Sequence, residues 1–212
     1  MQLPKIYKDA DLNLIKNKSI GIIGYGNQGR AQALNLLDSG MNVSIGLRKE
    51  SSSWKMAVDS GLNCTSINDI AKNCDIISLL IPDQVMKEVY SENIEPHLTE
   101  GKTLLFSHGY NIHYNLIQPP EFINVIMAAP SGAGSELRKQ FKIGKGIPGL
   151  IAVHQDYSGD SFDIALSYSK AIGLTRMGVF ESTFKEETET DLFGEQIILT
   201  GGIPKLIQSA YK

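Results

Sequence analysis

Five acidic side chains lie within the twelve-residue segment KEETETDLFGEQ, residues 185–196. Glu187, Asp191 and Glu195 are spaced four residues apart, so in a helix their carboxylates project from one face. Like charges at this spacing repel each other by about 0.2–0.5 kcal/mol per pair unless a cation lies between them. The segment therefore predicts either a hydrated acidic helix face or part of a divalent-metal site, and spacing alone favours the hydrated face.

A glycine-rich segment near the N-terminus indicates a second kind of chemistry. Gly24, Gly26 and Gly29 form the pattern G-x-G-x-x-G within IGIIGYGNQGRAQALN, after an apolar run and before a helical pattern. The first glycine permits a tight turn, the second lets a pyrophosphate approach the backbone, and the third lets helix and strand pack closely. The helix N-terminus adds free N–H groups for the phosphates. The segment predicts a dinucleotide site; the alternative is a tight turn without a ligand.

The end of the second predicted strand indicates which dinucleotide binds. NAD-binding sequences carry an acid there, whereas this chain has Arg48, within GLRKESSSW. A guanidinium and hydroxyl groups suit a 2′-phosphate, which a carboxylate would repel. We therefore predict NADP. Glu50 could offset part of the positive charge, and Arg48 and Lys49 could instead be hydrated residues of a loop. The residues that follow Arg48 are Lys49, Glu50, Ser51, Ser52 and Ser53.

His108 follows a predicted strand, at the carboxyl end where ligand clefts form in open α/β sheets. Histidine titrates near neutrality and can exchange a proton with a substrate oxygen. The same histidine could instead cap or brace a loop. We interpret His97, His113 and His154 as structural or exposed.

Alternating apolar and helical segments predict an α/β fold, with a Rossmann-type, doubly wound, mostly parallel sheet over residues 1–182. From Thr183 the pattern is helical only, so residues 183–212 are predicted to begin an all-helical domain. The predicted helices are Asn27–Ser39, closed by Gly40, and Ser161–Ile172. The predicted strands are Ser19–Gly24, Asn42–Leu47, Asp75–Ile81, Thr103–Phe106, Asn124–Ala129 and Gly149–Val153.

Composition argues against several classes of protein. A net charge of −3 gives no electrostatic basis for binding nucleic acid or an acidic membrane. The N-terminus is not typical of a secretory signal, and the longest apolar run, Ile76–Pro82, is too short to span a bilayer. Cys64 and Cys74 lack metal-ligand spacing; one disulfide between them is possible on count alone, but two isolated thiols suit a reducing compartment better. We expect a cytoplasmic protein.

Seven stretches together resemble the ketol-acid reductoisomerase (acetohydroxyacid isomeroreductase) family. The resemblance runs across nearly the whole chain, and the acidic segment is its most distinctive part. The stretches are GYGNQGRAQALNLLDSG, GLRKESSSW, LLIPDQV, FSHGYNIHY, APSGAG, IAVHQDYSG and FKEETETDLFGEQ.

The resemblance implies an enzyme of valine and isoleucine biosynthesis that acts on a small 2-hydroxy-3-oxo acid. Such an enzyme shifts an alkyl group of 2-acetolactate or 2-aceto-2-hydroxybutyrate with the help of Mg²⁺, then reduces the product with NADPH to a 2,3-dihydroxy acid. Divalent ions suit the first step because they hold and polarise hydroxyl and carbonyl oxygens together.

The resemblance also implies roles for single residues. His108 corresponds to an active-site histidine, and Asp191 and Glu195 to magnesium-binding carboxylates. Glu186, Glu187 and Glu189 are then hydrated or supporting residues. With the glycines of the motif, the implied cofactor contacts are Gly24, Tyr25, Gly26, Asn27, Gln28, Gly29, Arg48, Ser51, Ser53, Asp83, Gln84, Val85, Met86 and Gly134.

The sequence departs from the family pattern at three positions. Arg30 and Ser135 stand where the family commonly has histidine, and Ser131 stands where it has lysine. That lysine reaches the metal and substrate region in the family. Its loss therefore bears on catalysis more than on cofactor binding.

Length is the larger departure. The family continues into a helical domain that supplies two more metal-binding glutamates and a substrate-contacting serine, which nothing between Lys185 and Lys212 replaces. The last helix also carries apolar side chains that need a partner surface, so we predict a homo-oligomer formed through the C-terminal helical region. These side chains are Leu192, Phe193, Ile197, Ile198 and Leu199.

Three interpretations follow. The chain is part of a ketol-acid reductoisomerase whose helical domain is largely missing here, which is the interpretation we favour. Alternatively, it is a short NADP-binding paralogue that reduces another 2-oxo acid or binds cofactor without turnover. The third interpretation is an unrelated Rossmann-type binding module.

Overall fold

The computed structural model describes residues 5–211 as a single nine-stranded sheet covered by helices. The strands are β1 (Ile6–Tyr7), β2 (Ser19–Ile23), β3 (Asn42–Gly46), β4 (Asn63–Thr65), β5 (Ile76–Leu79), β6 (Thr103–Phe106), β7 (Asn124–Pro130), β8 (Gly149–Gln155) and β9 (Val179–Glu181). They lie in the order β1-β9-β8-β7-β6-β5-β2-β3-β4. Pairing is parallel except between β1 and β9 and between β7 and β8. The predicted α/β, mostly parallel fold is confirmed.

Ten α-helices occur among the described residues, with two π-helical segments and two short 3₁₀ turns. The α-helices are α1 (Asn13–Lys16), α2 (Asn27–Asp38), α3 (Ser52–Asp59), α4 (Ile67–Asn73), α5 (Asp83–Val89), α6 (Tyr110–His113), α7 (Gly134–Lys142), α8 (Ser161–Ala171), α9 (Phe184–Phe193) and α10 (Ile203–Ala210). The π-helical segments are Tyr90–Ile94 and Gly194–Gly202, and the 3₁₀ turns are Glu95–His97 and Leu174–Arg176.

The predicted elements are present, each within two residues of its predicted bounds. Gly40 has φ +78° and follows α2, as predicted for a residue that closes a helix. The strands β1, β4 and β9 were not predicted, since two or three residues give too little pattern. The domain boundary between residues 182 and 183 remains a prediction. In the structure, α9 begins directly after this boundary and packs against the sheet through Phe184.

The central strands are buried on both faces, which explains their continuous apolar sequence. Successive side chains of a strand point to opposite faces, so Ile22 joins one apolar cluster and Ile23 the other. Leu105 and Phe106 of β6 divide in the same way. Both faces are covered, and function is therefore confined to the edges of the sheet and the loops.

The direction of the chain reverses between β2 and β5. From β2 the chain builds outward through β3 and β4, then returns to place β5 on the other side of β2. In open α/β sheets, ligands bind at the carboxyl ends of the strands at such a switch point. The glycine loop lies there, directly after β2.

We expect substitution by alanine to destabilise the protein at one glycine of this loop and not at another. A Cβ on Gly29 would clash with the carbonyl oxygen of Gly24, whereas a Cβ on Gly26 would meet nothing within 4 Å. Gly29→Ala should therefore lower the free energy of unfolding by about 1–3 kcal/mol, which thermal unfolding measures. Gly26→Ala, the matched control, should leave stability within about 0.5 kcal/mol. Equal stabilities of the two variants would contradict this account of the packing.

Candidate functional site

Two clefts open at the carboxyl ends of the central strands. The first, here the β2–β5 cleft, has a volume of about 500 Å³ and lies between the glycine loop, the start of α3 and the face of α5. The second, here the acidic cleft, has a volume of about 690 Å³ and lies between the ends of β6 and β7 and the helix α9.

The β2–β5 cleft contains four of the predicted cofactor contacts. Gly24, Arg48, Ser51 and Val85 line it. Gly24 needs its φ of +99°, since this left-handed conformation turns the chain sharply out of β2. Arg48 and Ser51 lie at the same wall, where a 2′-phosphate would find a guanidinium and a hydroxyl.

Four other predicted cofactor residues do not line this cleft. Ser53 lies in the first turn of α3, and its N–H donates to the hydroxyl of Ser51, the N-cap residue, at 3.2 Å. Met86 is buried in the core. Asp83 accepts a hydrogen bond from Asn111 Nδ2 at 2.7 Å, and Gln84 is exposed. Their contact with a cofactor remains a prediction.

The first turn of α2 is braced by its own side chains. Asn27 Oδ1 accepts a hydrogen bond from the Ser135 N–H at 2.8 Å, and Gln28 Nε2 donates to the Gly132 carbonyl oxygen at 2.9 Å. Gly134 packs so closely on Asn27 that a Cβ would clash with its backbone. These contacts fix the loop and leave the backbone N–H groups of the helix N-terminus as the available donors.

This loop fits the phosphates of a dinucleotide. The space above Gly26 is open, as the close approach of a pyrophosphate requires. Tyr25, by contrast, is buried, and its hydroxyl has no hydrogen-bond partner within residues 5–211. The donors, the open approach and the Arg48 charge together suit NADP.

His108, Glu187 and Asp191 meet in the acidic cleft. His108 Nδ1 lies 3.0 Å from Glu187 Oε1 and 3.7 Å from Asp191 Oδ2. The Gly109 N–H donates to the other oxygen of Glu187 at 2.8 Å. Each of the three side chains offers one ligand atom, and these atoms lie within 4.8 Å of one another.

Glu187 is the site residue that sequence reasoning left undecided. It is only 4% exposed, so the hydrated interpretation is wrong for this acid, and its contacts match a supporting role. Glu186 and Glu189 are exposed. The only signal in the sequence was the position of Glu187 one helical turn before Asp191.

Glu195 lines the acidic cleft but does not join the cluster of three. The α-helix ends at Phe193, and Glu195 lies in the π-helical segment that follows. Ser131, which stands where the family has lysine, also lines this cleft.

The cluster carries more negative than positive charge. Burial lowers the pKa of His108, but the Glu187 hydrogen bond and the carboxylates of Glu187, Asp83 and Asp191 outweigh it, and the net shift is upward. Burial raises the pKa of Asp191; His108 opposes this shift, while Glu187, Glu195 and Asp83 add to it. These groups together favour the uptake of a cation.

The donor set fits a hard divalent ion such as Mg²⁺, which prefers carboxylate oxygens. Both oxygens of Glu187 already accept hydrogen bonds, whereas the Asp191 side chain is 48% exposed to the cleft. Asp191, with Glu195 on the same wall, would therefore hold the ion, and Glu187 would orient His108.

We expect Glu187→Gln to lower the pKa of His108, because the substitution removes the negative charge nearest to the imidazole. A histidine whose pKa is raised by folding adds stability below its ordinary value of about 6.5 and loses it as pH rises through the folded value. The stability difference between wild type and variant should thus be larger near pH 6 than near pH 8. Imidazole NMR titration and denaturant unfolding, both with EDTA, measure these effects. Glu189→Gln, on the same helix near His113, is the control; an equal shift of His108 in both variants would refute the assignment.

Comparison with known proteins agrees with this geometry. The family model described as "Acetohydroxy acid isomeroreductase, NADPH-binding domain" matches residues 14–178, and that described as "Ketol-acid reductoisomerase, C-terminal domain" matches residues 184–212. The chain is 54% identical over 205 residues to a ketol-acid reductoisomerase (NADP(+)) of Methanocaldococcus jannaschii, covering 97% of this chain and 62% of that protein. A relative of the same name from Sulfurisphaera tokodaii is 52% identical over 212 residues, covering 99% and 64%.

A solved structure shows the same fold. It is the "NADH-preferring ketol-acid reductoisomerase from an uncultured archean", with a TM-score of 0.94 and 42% sequence identity, over 97% of this chain and 64% of that one. The chain thus spans less than two thirds of the length of these relatives. Family models that cover most of its length, and relatives more than half identical, show that the chain belongs to the ketol-acid reductoisomerase family.

Proposed function

We propose that this chain provides the cofactor site and part of the metal site of an NADP-dependent ketol-acid reductoisomerase. The substrate is 2-acetolactate or 2-aceto-2-hydroxybutyrate, and the product is a 2,3-dihydroxy acid. One observation carries the proposal: the glycine loop, with Arg48 at its side, lies at the same sheet edge as the His108, Glu187 and Asp191 cluster.

In this proposal, residues of the glycine loop and the β2–β5 cleft bind the cofactor, and residues of the acidic cleft bind the metal ion. The first turn of α2 would hold the pyrophosphate, while Arg48 and Ser51 would hold the 2′-phosphate. Asp191 and Glu195 would hold Mg²⁺ on the wall of the acidic cleft. When bound, Mg²⁺ polarises the hydroxyl and carbonyl oxygens of the substrate, and NADPH supplies a hydride.

His108 is the group that would exchange a proton with a substrate oxygen. The Glu187 carboxylate accepts from Nδ1, which fixes the imidazole and leaves Nε2 for the substrate. The upward shift in the pKa of His108 keeps its protonated form populated closer to neutral pH.

We further propose a cytoplasmic homo-oligomer that associates through the C-terminal helical region. Large apolar side chains are exposed along the last two helical segments: Ile197, Ile198, Leu199, Ile203, Leu206 and Ile207. Exposed apolar surface of this kind marks either an interface or a missing piece of the fold, and we propose the interface. None of the helices formed by residues 5–211 has the length and apolar character that crossing a membrane requires.

Turnover with 2-acetolactate tests the proposal directly. NADPH oxidation, followed at 340 nm, should require Mg²⁺. Asp191→Asn should weaken the apparent affinity for Mg²⁺ roughly 100-fold, because the metal loses a charged ligand. Glu186→Gln, exposed on the same helix, should leave both rate and metal affinity unchanged. NADPH binding without turnover by the 212-residue chain would mean an intact cofactor site beside an incomplete metal site. Reduction of a simple 2-oxo acid without an alkyl shift would favour the paralogue, and turnover in EDTA would refute the metal site.

The choice between NADPH and NADH gives a second test, since one relative of known structure is described as NADH-preferring. Arg48→Gln should weaken NADPH binding about 10- to 100-fold, since charge-assisted hydrogen bonds to the 2′-phosphate are lost. NADH, which lacks that phosphate, should bind as before. Lys49→Gln is the control, because Lys49 is exposed and does not line the cleft. Fluorescence titration measures the affinities of wild type and of both variants for NADPH and for NADH. Equal losses of NADPH and NADH affinity in Arg48→Gln would refute the role of Arg48.

A further inference from the structure

One helical face completes the β2–β5 cleft beyond Arg48. It begins in α5 and continues through the π-helical turn Tyr90–Ile94. Its lining residues are spaced i, i+3, i+4, i+7 and i+8, as on a single helix face: Val85, Glu88, Val89, Glu92 and Asn93. The cleft therefore has aliphatic side chains near the loop and a polar rim at the π-helical turn.

This distribution suits a flat heterocyclic base. Leu47, Ile67 and Ile81 supply the remaining apolar lining, against which a ring can pack. Under the proposed function, Arg48 and Ser51 hold the 2′-phosphate, and the adenine on the same ribose must then lie in this cleft. Its polar edge would face the rim.

Asn93 has the chemistry to recognise that edge. Its side chain lines the cleft and is half-buried, and no hydrogen bond formed within residues 5–211 uses its amide group. Adenine presents a donor at the N6 amino group and an acceptor at N7, and a carboxamide offers the matching acceptor and donor.

We propose that Asn93 determines the base specificity of the cofactor site, with Oδ1 accepting from the N6 amino group and Nδ2 donating to N7. This inference rests on the proposed function. Hypoxanthine carries an acceptor oxygen at position 6 in place of the amino group. It would lose the bond to Oδ1, while its N7 could still accept from Nδ2.

The experiment compares NADPH with its hypoxanthine analogue, reduced nicotinamide hypoxanthine dinucleotide phosphate. Fluorescence titration of the 212-residue chain should show NADPH binding about tenfold tighter than the analogue. In Asn93→Leu the ratio should fall to within about twofold. Asn93→Asp keeps the acceptor for the amino group and loses only the donor to N7, which both bases share, so its ratio should be at least as large as that of wild type while NADPH binds more weakly. Ser91→Ala is the control: Ser91 lies on the same π-helical turn, is exposed and does not line the cleft.

The outcomes separate this inference from the function on which it rests. A ratio that is the same in wild type and in Asn93→Leu, with NADPH still saturating, would overturn the role of Asn93 alone. Failure of wild type to bind either cofactor would overturn the proposed function and this inference together. Thermal unfolding of each variant shows whether a lost ratio comes from a lost fold.

Discussion

The buried carboxylate of Glu187 couples α9 to the loop that follows β6. Taking a carboxylate out of water is unfavourable unless both oxygens find partners. Here the Gly109 N–H and His108 Nδ1 supply them, from the loop that follows β6. Together with the packing of Phe184 on the sheet, these two bonds hold α9 in place, and the bond to Nδ1 orients the imidazole. Asp191, one turn further along α9, is thereby held above the carboxyl ends of β6 and β7.

The two clefts are connected through the first turns of α2. Gly24 lines the β2–β5 cleft, and Gln28, four residues later, lines the acidic cleft. Gln28 Oε1 accepts a hydrogen bond from Gln32 Nε2 at 3.1 Å, and Gln32 in turn accepts from the buried Tyr168 hydroxyl at 2.9 Å. A buried network of this kind fixes the position of α2 relative to both clefts. A cofactor held by the loop would thus lie in a fixed position beside the acidic cluster, as hydride transfer requires.

Sequence reasoning succeeded where the physical constraint is local. Continuous apolar runs predict buried strands, and the spacing of Gly24 and Gly29 predicts the turn and the close helix packing. It failed where the constraint joins distant segments. Glu187 and His108 are 79 positions apart, so helical spacing could indicate an acidic face but not the partner that buries one of its members. For the same reason, the sequence could not show that Gln28 binds the loop before α7 or that Asn27 binds the first turn of α7.

The charge balance of the acidic cleft is the strongest argument for an ion there. An acid whose pKa is raised by folding costs stability as pH rises above its ordinary range, and burial does this to Asp83 and Asp191. One imidazole, that of His108, faces the three carboxylates of Glu187, Asp83 and Asp191. A bound divalent ion would reverse the sign of this contribution, because it stabilises the ionised form of its ligands. On this view the arrangement is unfavourable for the chain alone and favourable for the proposed metal-bound enzyme.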